Sequence, residues 1–265
     1  MLDKSKFASL RAVSRVWAIA AVHGEATRLA AVHEQIAQRF EPGDRVVYLG
    51  NYMGHGGDII ATLDTMLSFR RALLAEPGMM TCDVVFLRGA QEEMWSKLMQ
   101  LHLALDPGSV LAWMLERGLD KTLAAYGGSG PDGIARARGG ATELARWSNE
   151  LRKTMQARPG HANLMSALKR AAFTEDGALL FVHAGLDPAR PLAVQGDDLW
   201  WGDGFESIDG PYDGFKLIVR GFDRAGHGVA FTTHTATLDG GCGFGSPLHA
   251  ACFDLDGKVV ERIEG

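Results

Sequence analysis

RVWAIAAVHG at residues 15–24, RVVYLG at 45–50 and CDVVFLRG at 82–89 decide the architecture of this chain. Each is a short run dense in Val, Leu and Ile that stops at a glycine, and each is nearly continuous in its hydrophobicity. Strands covered on both faces read this way, because neither face meets water. Segments 26–40 and 58–74, between the runs, space their apolar residues as amphipathic helices do. The order β-α-β-α-β predicts a parallel sheet joined by right-handed crossovers. ALLFV at 178–182 and KLIV at 216–219 predict two more core strands, ending at His183-Ala184-Gly185 and at Gly221.

Beyond these strands, residues 92–170 read as helical, with periodic Leu, Met and Trp interrupted by the Gly/Pro-rich YGGSGPDG at 126–133. A helical insertion within one domain spanning 1–265 is expected, since few residues remain for an independent core. Its Met and Trp stripe reads as packing. The tail from Gly228 predicts short strands, the last two joined by a turn at Asp256-Gly257, and an antiparallel second sheet would hold them.

Composition bounds the function. With 27 Lys+Arg against 32 Asp+Glu, the 265 residues carry a net charge of −5. Nucleic acid and anionic membranes call for Lys/Arg clustered on one face, so neither partner is expected. Three cysteines, Cys82, Cys242 and Cys252, are an odd number without metal-ligand spacing. They suggest neither a disulfide framework nor a zinc knuckle, and a reducing cytoplasm is the expected compartment. Lys4, Lys6, Arg11 and Arg15 precede an apolar run of only strand length. That is too short for a secretory core or for the roughly 20 residues of a membrane span.

In open α/β sheets ligands lie beyond the carboxyl ends of the strands. The candidate loops are therefore AAVHG at 20–24, GNYMGHG at 50–56, GAQEE at 89–93, VHAGL at 182–186 and GFD at 221–223. In this order and context the chain resembles the calcineurin-like metallophosphoesterases, specifically the bacterial relatives of the PPP-type serine/threonine protein phosphatases. AAYG near Tyr126, FVHAGLDP at 181–188, DDLWWGDGF at 197–205 and LDGGCGFGSPLHAACFD at 238–254 are similar to the same group. The resemblance covers roughly residues 16–260 and implies an α/β fold of two packed mixed β-sheets flanked by helices, with a helical insertion.

The departures from that pattern carry the functional reading. The family reads Gly-Asp-x-His-Gly, Gly-Asp-x-x-Asp-Arg-Gly, Gly-Asn-His-Glu, Val-His-Ala-Gly-Leu and Gly-His-Thr at the five loops, and hydrolyses phosphoesters with two divalent metals. Carried over residue by residue, its ligands fall on Ala21, His23, Asn51, Ala90, His183 and Phe222. Only His23 and His183 remain strong ligands, because the neutral Asn51 cannot hold two cations together as a carboxylate does. The general-acid His falls on Gln91, its supporting Asp on Gly54, a phosphate-binding Arg on His55, and a further Arg on Gly202. Glutamine has no proton to give near neutral pH. Glu92 matches the Glu of the third loop, where the resemblance implies a supporting role.

No confident catalytic residue follows. Asn51, His55, Gln91 and Glu92 form the candidate vestigial cleft, either polar remnants or a neutral pocket for an anion or a nucleotide base. His23 and His183 are a vestigial metal pair. No cofactor is expected or, if any, a weakly held Mn, Zn or Fe. His227 reads as a rescuing ligand only if its loop were re-registered, while His234 and His249 read as structural. Trp200 and Trp201, beside Asp197, Asp198 and Asp203, read as packing or as a partner-binding lip. Nothing reads as a covalent nucleophile.

The expected function is that of a degenerate PPP-like phosphoesterase, a pseudophosphatase. Such a protein has lost its binuclear centre and acts by binding a protein partner or a small phosphate-containing ligand. The competing expectation is an active phosphatase acting on phosphomonoesters or phosphoproteins. It would use a rearranged single-metal site around His23, His183, Asn51 and either His55 or His227.

Overall fold

The computed structural model describes residues 2–265. β1 (Phe7–Leu10) and β2 (Arg15–Ile19) are followed by α1 (Ala26–Arg39), β3 (Asp44–Tyr48), α2 (Ile59–Leu74) and β4 (Val84–Phe86). β2, β3 and β4 pair in parallel, with Val16 opposite Arg45 and Val46 opposite Val84. The first three apolar runs are thus the expected β-α-β-α-β unit. α1 buries Leu29, Val32, His33 and Ile36 along one stripe, and ends where Phe40 turns extended, two residues before Pro42. α2 buries Ile59, Leu63, Met66, Phe69 and Leu73 at the same spacing.

Six helices occupy the chain between β4 and the second group of strands. They are α3 (Ala90–Leu98), α4 (Pro107–Met114), α5 (Asp120–Ala125), α6 (Gly130–Arg138), α7 (Ala141–Gln156) and α8 (His161–Ala167). Then come β5 (Ala171–Thr174), β6 (Leu179–Val182), α9 (Asp198–Trp201), β7 (Leu217–Arg220), β8 (Ala230–Phe231), β9 (Thr235–Thr237), β10 (His249–Asp254) and β11 (Val259–Glu264).

These strands build two mixed sheets, one in the order β11-β10-β2-β3-β4 and the other in the order β1-β5-β6-β7-β9-β8. The terminal hairpin forms around Asp256-Gly257 as expected, but not in a separate antiparallel sheet. β10 pairs antiparallel with β2 and extends the first sheet. Ala250 to Phe253 are all buried, so β10 needs layers on both of its faces, and it finds them by pairing with the edge of β2 that β3 leaves open, inside the sheet rather than beside it. β1 and β5, too short and too rich in alanine to stand out in the sequence, pair in parallel at the edge of the second sheet.

β6 shows how the layers are filled. All four of its residues are buried; Leu179 and Phe181 face the core between the sheets, while Leu180 and Val182 face a second cluster with Leu186, Leu192, Leu199 and Phe205. A period of two with both faces apolar is what a strand sandwiched between layers requires. Phe181 reaches Phe253 of the opposite sheet edge-on, with ring centroids 6.4 Å apart. No described helix is long and apolar enough to cross a membrane.

Candidate functional site

The carboxyl ends of β2, β3, β4, β6 and β7 converge, and backbone hydrogen bonds stitch their loops together. Val22 N and His23 N donate to Asn51 O at 3.0 and 2.7 Å, and Ala21 N donates to Gly221 O at 2.9 Å. Gly221 N and Phe222 N both donate to His183 O, at 3.0 and 2.9 Å. Gly50 lets the β3 loop through: at φ +95° its Cβ would lie 2.7 Å from the Gly89 backbone and from His183 Nδ1.

Glu92 ties the second loop to the third. Its buried carboxylate accepts from the amides of Asn51 (2.9 Å), Tyr52 (2.8 Å), Met53 (3.3 Å) and Gly89 (2.9 Å). Burial pushes its carboxyl pKa up and the four amides pull it back down. Placed at the third position of α3, it supports the loops from beneath and is absent from the cavity wall. Asn51, held at φ +53°, accepts from Gln91 N through Oδ1 at 2.9 Å. That bond fixes the amide, so Nδ2 is the group facing His23 Nε2 at 3.4 Å.

His23 and His183 are both buried at the bottom of this assembly. Burial lowers the pKa of His23 to about 3, helped by the neighbouring His55 and His183, and that of His183 to about 4. Both are neutral at physiological pH. His183 donates from Nδ1 to Leu49 O at 2.7 Å, leaving an Nε2 lone pair without a partner; His23 Nε2 faces the Asn51 amide, so the proton sits on the unpartnered Nδ1. Phe222 packs against both rings, parallel to His183 at 5.4 Å and 5°, and edge-on to His23 at 5.6 Å. Phe244 and His55 close the other side of His23, at 5.5 and 5.1 Å.

Above these rings lies a cavity of about 810 Å³ whose wall includes Asn51, His55, Gln91, Phe222 and Phe244 but neither buried histidine. Asn51, His55 and Gln91 thus share the wall of one cavity, whereas Glu92, the fourth residue of the expected cleft, lies outside it, and burial keeps half-buried His55 below its ordinary pKa. Gln91 is held by its Nε2 donating to Arg117 O at 2.7 Å, and its Oε1 has no partner. The Gln91 side chain also fills the space beside Gly54. A Cβ there would fall 2.7 Å from Gln91 Cδ, and Gly54 sits at φ +115°. Trp200 is buried and donates to Arg88 O at 2.8 Å, whereas half-buried Trp201 meets Trp113 edge-on at 5.6 Å on the cavity wall.

Sequence reasoning missed Phe244, Trp113 and Arg220 as wall residues. For Phe244 a signal was present: GGCGFG at 240–245 alternates glycines, and Gly241, Gly243 and Gly245 all adopt positive φ. This backbone carries a 61% exposed phenylalanine over the cavity. Arg220 lies buried within a cluster of charges. It pairs with Glu206 and, at 3.3 Å, with Asp223, whose Oδ2 also accepts from His227 N and Nδ1 at 2.9 and 2.8 Å. His227 therefore belongs to this cluster at the rim.

A divalent pair does not fit the residues at the loop ends. Of the two buried histidines there only His183 leaves an imidazole lone pair without a partner, Asn51 Oδ1 already accepts from Gln91 N, and the carboxylate beside Asn51, that of Glu92, is occupied by four backbone amides; zinc alone asks for about four donors. The only described group of three potential ligands is Glu206, Asp223 and His227, and the Arg220 guanidinium already supplies its positive charge.

No protein-family model matches the chain, and no curated protein matches its sequence. Among solved structures it is similar to a protein proposed to be a diadenosine tetraphosphatase, with 17% identity, a TM-score of 0.56 and 98% of each chain covered. It is also similar to a Saccharomyces cerevisiae protein serine/threonine phosphatase with similarity to human phosphatase PP5, with 13% identity, a TM-score of 0.53, and 100% and 84% of the two chains covered. A cold-active protein tyrosine phosphatase gives 12% identity and a TM-score of 0.54, with 100% and 81% covered. At these identities the likeness is one of fold. The chain has the calcineurin-like metallophosphoesterase fold.

Proposed function

We propose that this phosphoesterase fold acts by binding rather than by hydrolysis. The observation that carries the reading is Phe222, stacked on His183 and set edge-on against His23, with no carboxylate beside either imidazole. Hydrolysis of a phosphoester needs a metal-lowered water pKa or a general acid. His23 and His183 are neutral, and the position the family gives to an acid holds Gln91. The cavity rim also favours a protein partner over a phosphate-bearing ligand there. Arg117, Arg220 and Arg224 each face a carboxylate, at Glu116, at Glu206 and Asp223, and at Asp203, so no guanidinium is left unpaired for an anion.

The test is elemental analysis of the chain purified without chelator and equilibrated with Mn²⁺, Zn²⁺ and Fe²⁺, together with turnover of p-nitrophenyl phosphate. The expected result is less than one metal per chain and no turnover. Stoichiometric metal with turnover abolished by His183→Ala sinks the proposal and establishes an active phosphoesterase with a rearranged site.

A further inference from the structure

A second cavity, of about 760 Å³, shares no residue with the first. Its wall includes Phe7, Ala8 and Ser9 of β1 and Val84, Val85 and Phe86 of β4. Side chains alternate along a strand, so three consecutive residues reach one cavity only where a strand presents its edge. β1 and β4 each end a sheet; the β1 edge opens on this groove, while Phe86 O and Arg88 N on the β4 edge are taken by Lys169. Parallel pairing of β1 with β5 uses Lys6 O, which accepts from Arg170 N, and Leu10 O, which accepts from Glu175 N. By alternation the Ser9 amide and carbonyl face away from β5, toward the groove.

The charge is one-sided. Lys4, Arg11, Arg70 and Lys169 line the groove and no Asp or Glu does, in a chain of net charge −5. Arg11 pairs with Glu175 at 2.9 Å, whereas Lys4, Arg70 and Lys169 have no carboxylate partner among the described residues. Lysines beside sheet edges ordinarily guard against aggregation. That account covers Lys4 and Lys169 but leaves the hollow itself, floored by buried Phe7, Val84, Val85 and Phe86.

We propose that this groove docks an extended, carboxylate-bearing segment of a partner protein by strand addition to β1. Main-chain hydrogen bonds to Ser9 would set its register, alternate apolar side chains would meet the floor, and carboxylates would meet Lys4, Arg70 and Lys169. The four residues of β1 suit a segment of about four to six residues at roughly 3.3 Å each. The inference extends the reading of the chain as a binding protein, and the two are tested apart, since metal content and peptide binding can fail independently.

The probe is a fluorescein-labelled peptide of alternating valine and glutamate, titrated by anisotropy against the full chain. Comparison peptides replace glutamate by lysine, or carry N-methyl groups on alternate amides. The expected result is saturable binding of the glutamate peptide that weakens with salt, is lost on N-methylation and is absent for the lysine peptide. Lys4→Glu and Arg70→Glu, both at surface positions, each weaken it at least tenfold while leaving circular dichroism unchanged. Bound peptide also slows alkylation of exposed Cys82, which lies in the groove wall. No binding, equal binding of the lysine peptide, indifference to Lys4→Glu and Arg70→Glu, or indifference to N-methylation overturns the proposal.

Discussion

Glu92 is the residue on which the loops depend most. Its carboxylate satisfies four buried amides at once, and a buried donor without an acceptor costs about 1–3 kcal/mol. Glu92→Ala is expected to destabilise the fold by about 3 kcal/mol or more, read as a lower urea midpoint. Glu92→Gln keeps one acceptor oxygen and loses less; equal losses for the two variants would mean that packing, not the amides, sets the role of Glu92. The sequence put Glu92 in the right loop but could not say which way it points, because a glutamate at the third position of a helix serves equally as a cap or as a wall residue. The same limit applies to Phe222. Its place after a strand and a glycine was legible, whereas its stacking on His183 depends on a chain segment about forty residues away.

At the scale of elements, β2, β3, β4, β6 and β7 and the first two helices were legible, because long-range burial leaves a continuous apolar run or a clean stripe in the chain. β1 and β5 were not, since FASL and AAFT hold no continuous run of large apolar residues, and β8 and β9 were foreseen only as short strands of the tail, because their pairing is decided by partners elsewhere. The terminal hairpin was legible as a hairpin but not in its sheet, a choice made by the edge of β2. The stitched loop ends permit a constructive test. Ala21→Asp, Asn51→Asp, Ala90→Asn and Phe222→His together restore the donors that the family resemblance assigns. The expected outcome is tight Mn²⁺ or Zn²⁺ uptake by titration calorimetry. A folded quadruple variant that takes up neither metal shows that the loops were matched in the wrong register.

For the molecule as a whole, the buried imidazoles set the response to acid. His23, His33 and His183 have pKa values lowered by burial to about 3, about 3 and about 4, against about 6.5 in an unfolded chain. The unfolded state therefore takes up their protons first. Stability is complete above pH 6.5 and falls as pH drops toward 4, with a limiting slope of about 1.4 kcal/mol per pH unit for each imidazole. Urea unfolding at pH 7, 6, 5 and 4 reads this directly. A flat profile from pH 7 to 5 would show that the three rings are solvated in the folded chain.

The Gly54–Gln91 contact couples two loops that are far apart in the chain. With the end of the Gln91 side chain lying where a side chain at 54 would begin, and the backbone there at φ +115°, any residue larger than glycine at 54 displaces Gln91 from its hydrogen bond to Arg117 O. A change at position 54 is therefore felt at Arg117 on the far wall of the cavity, and the two positions respond to substitution as a pair rather than one at a time.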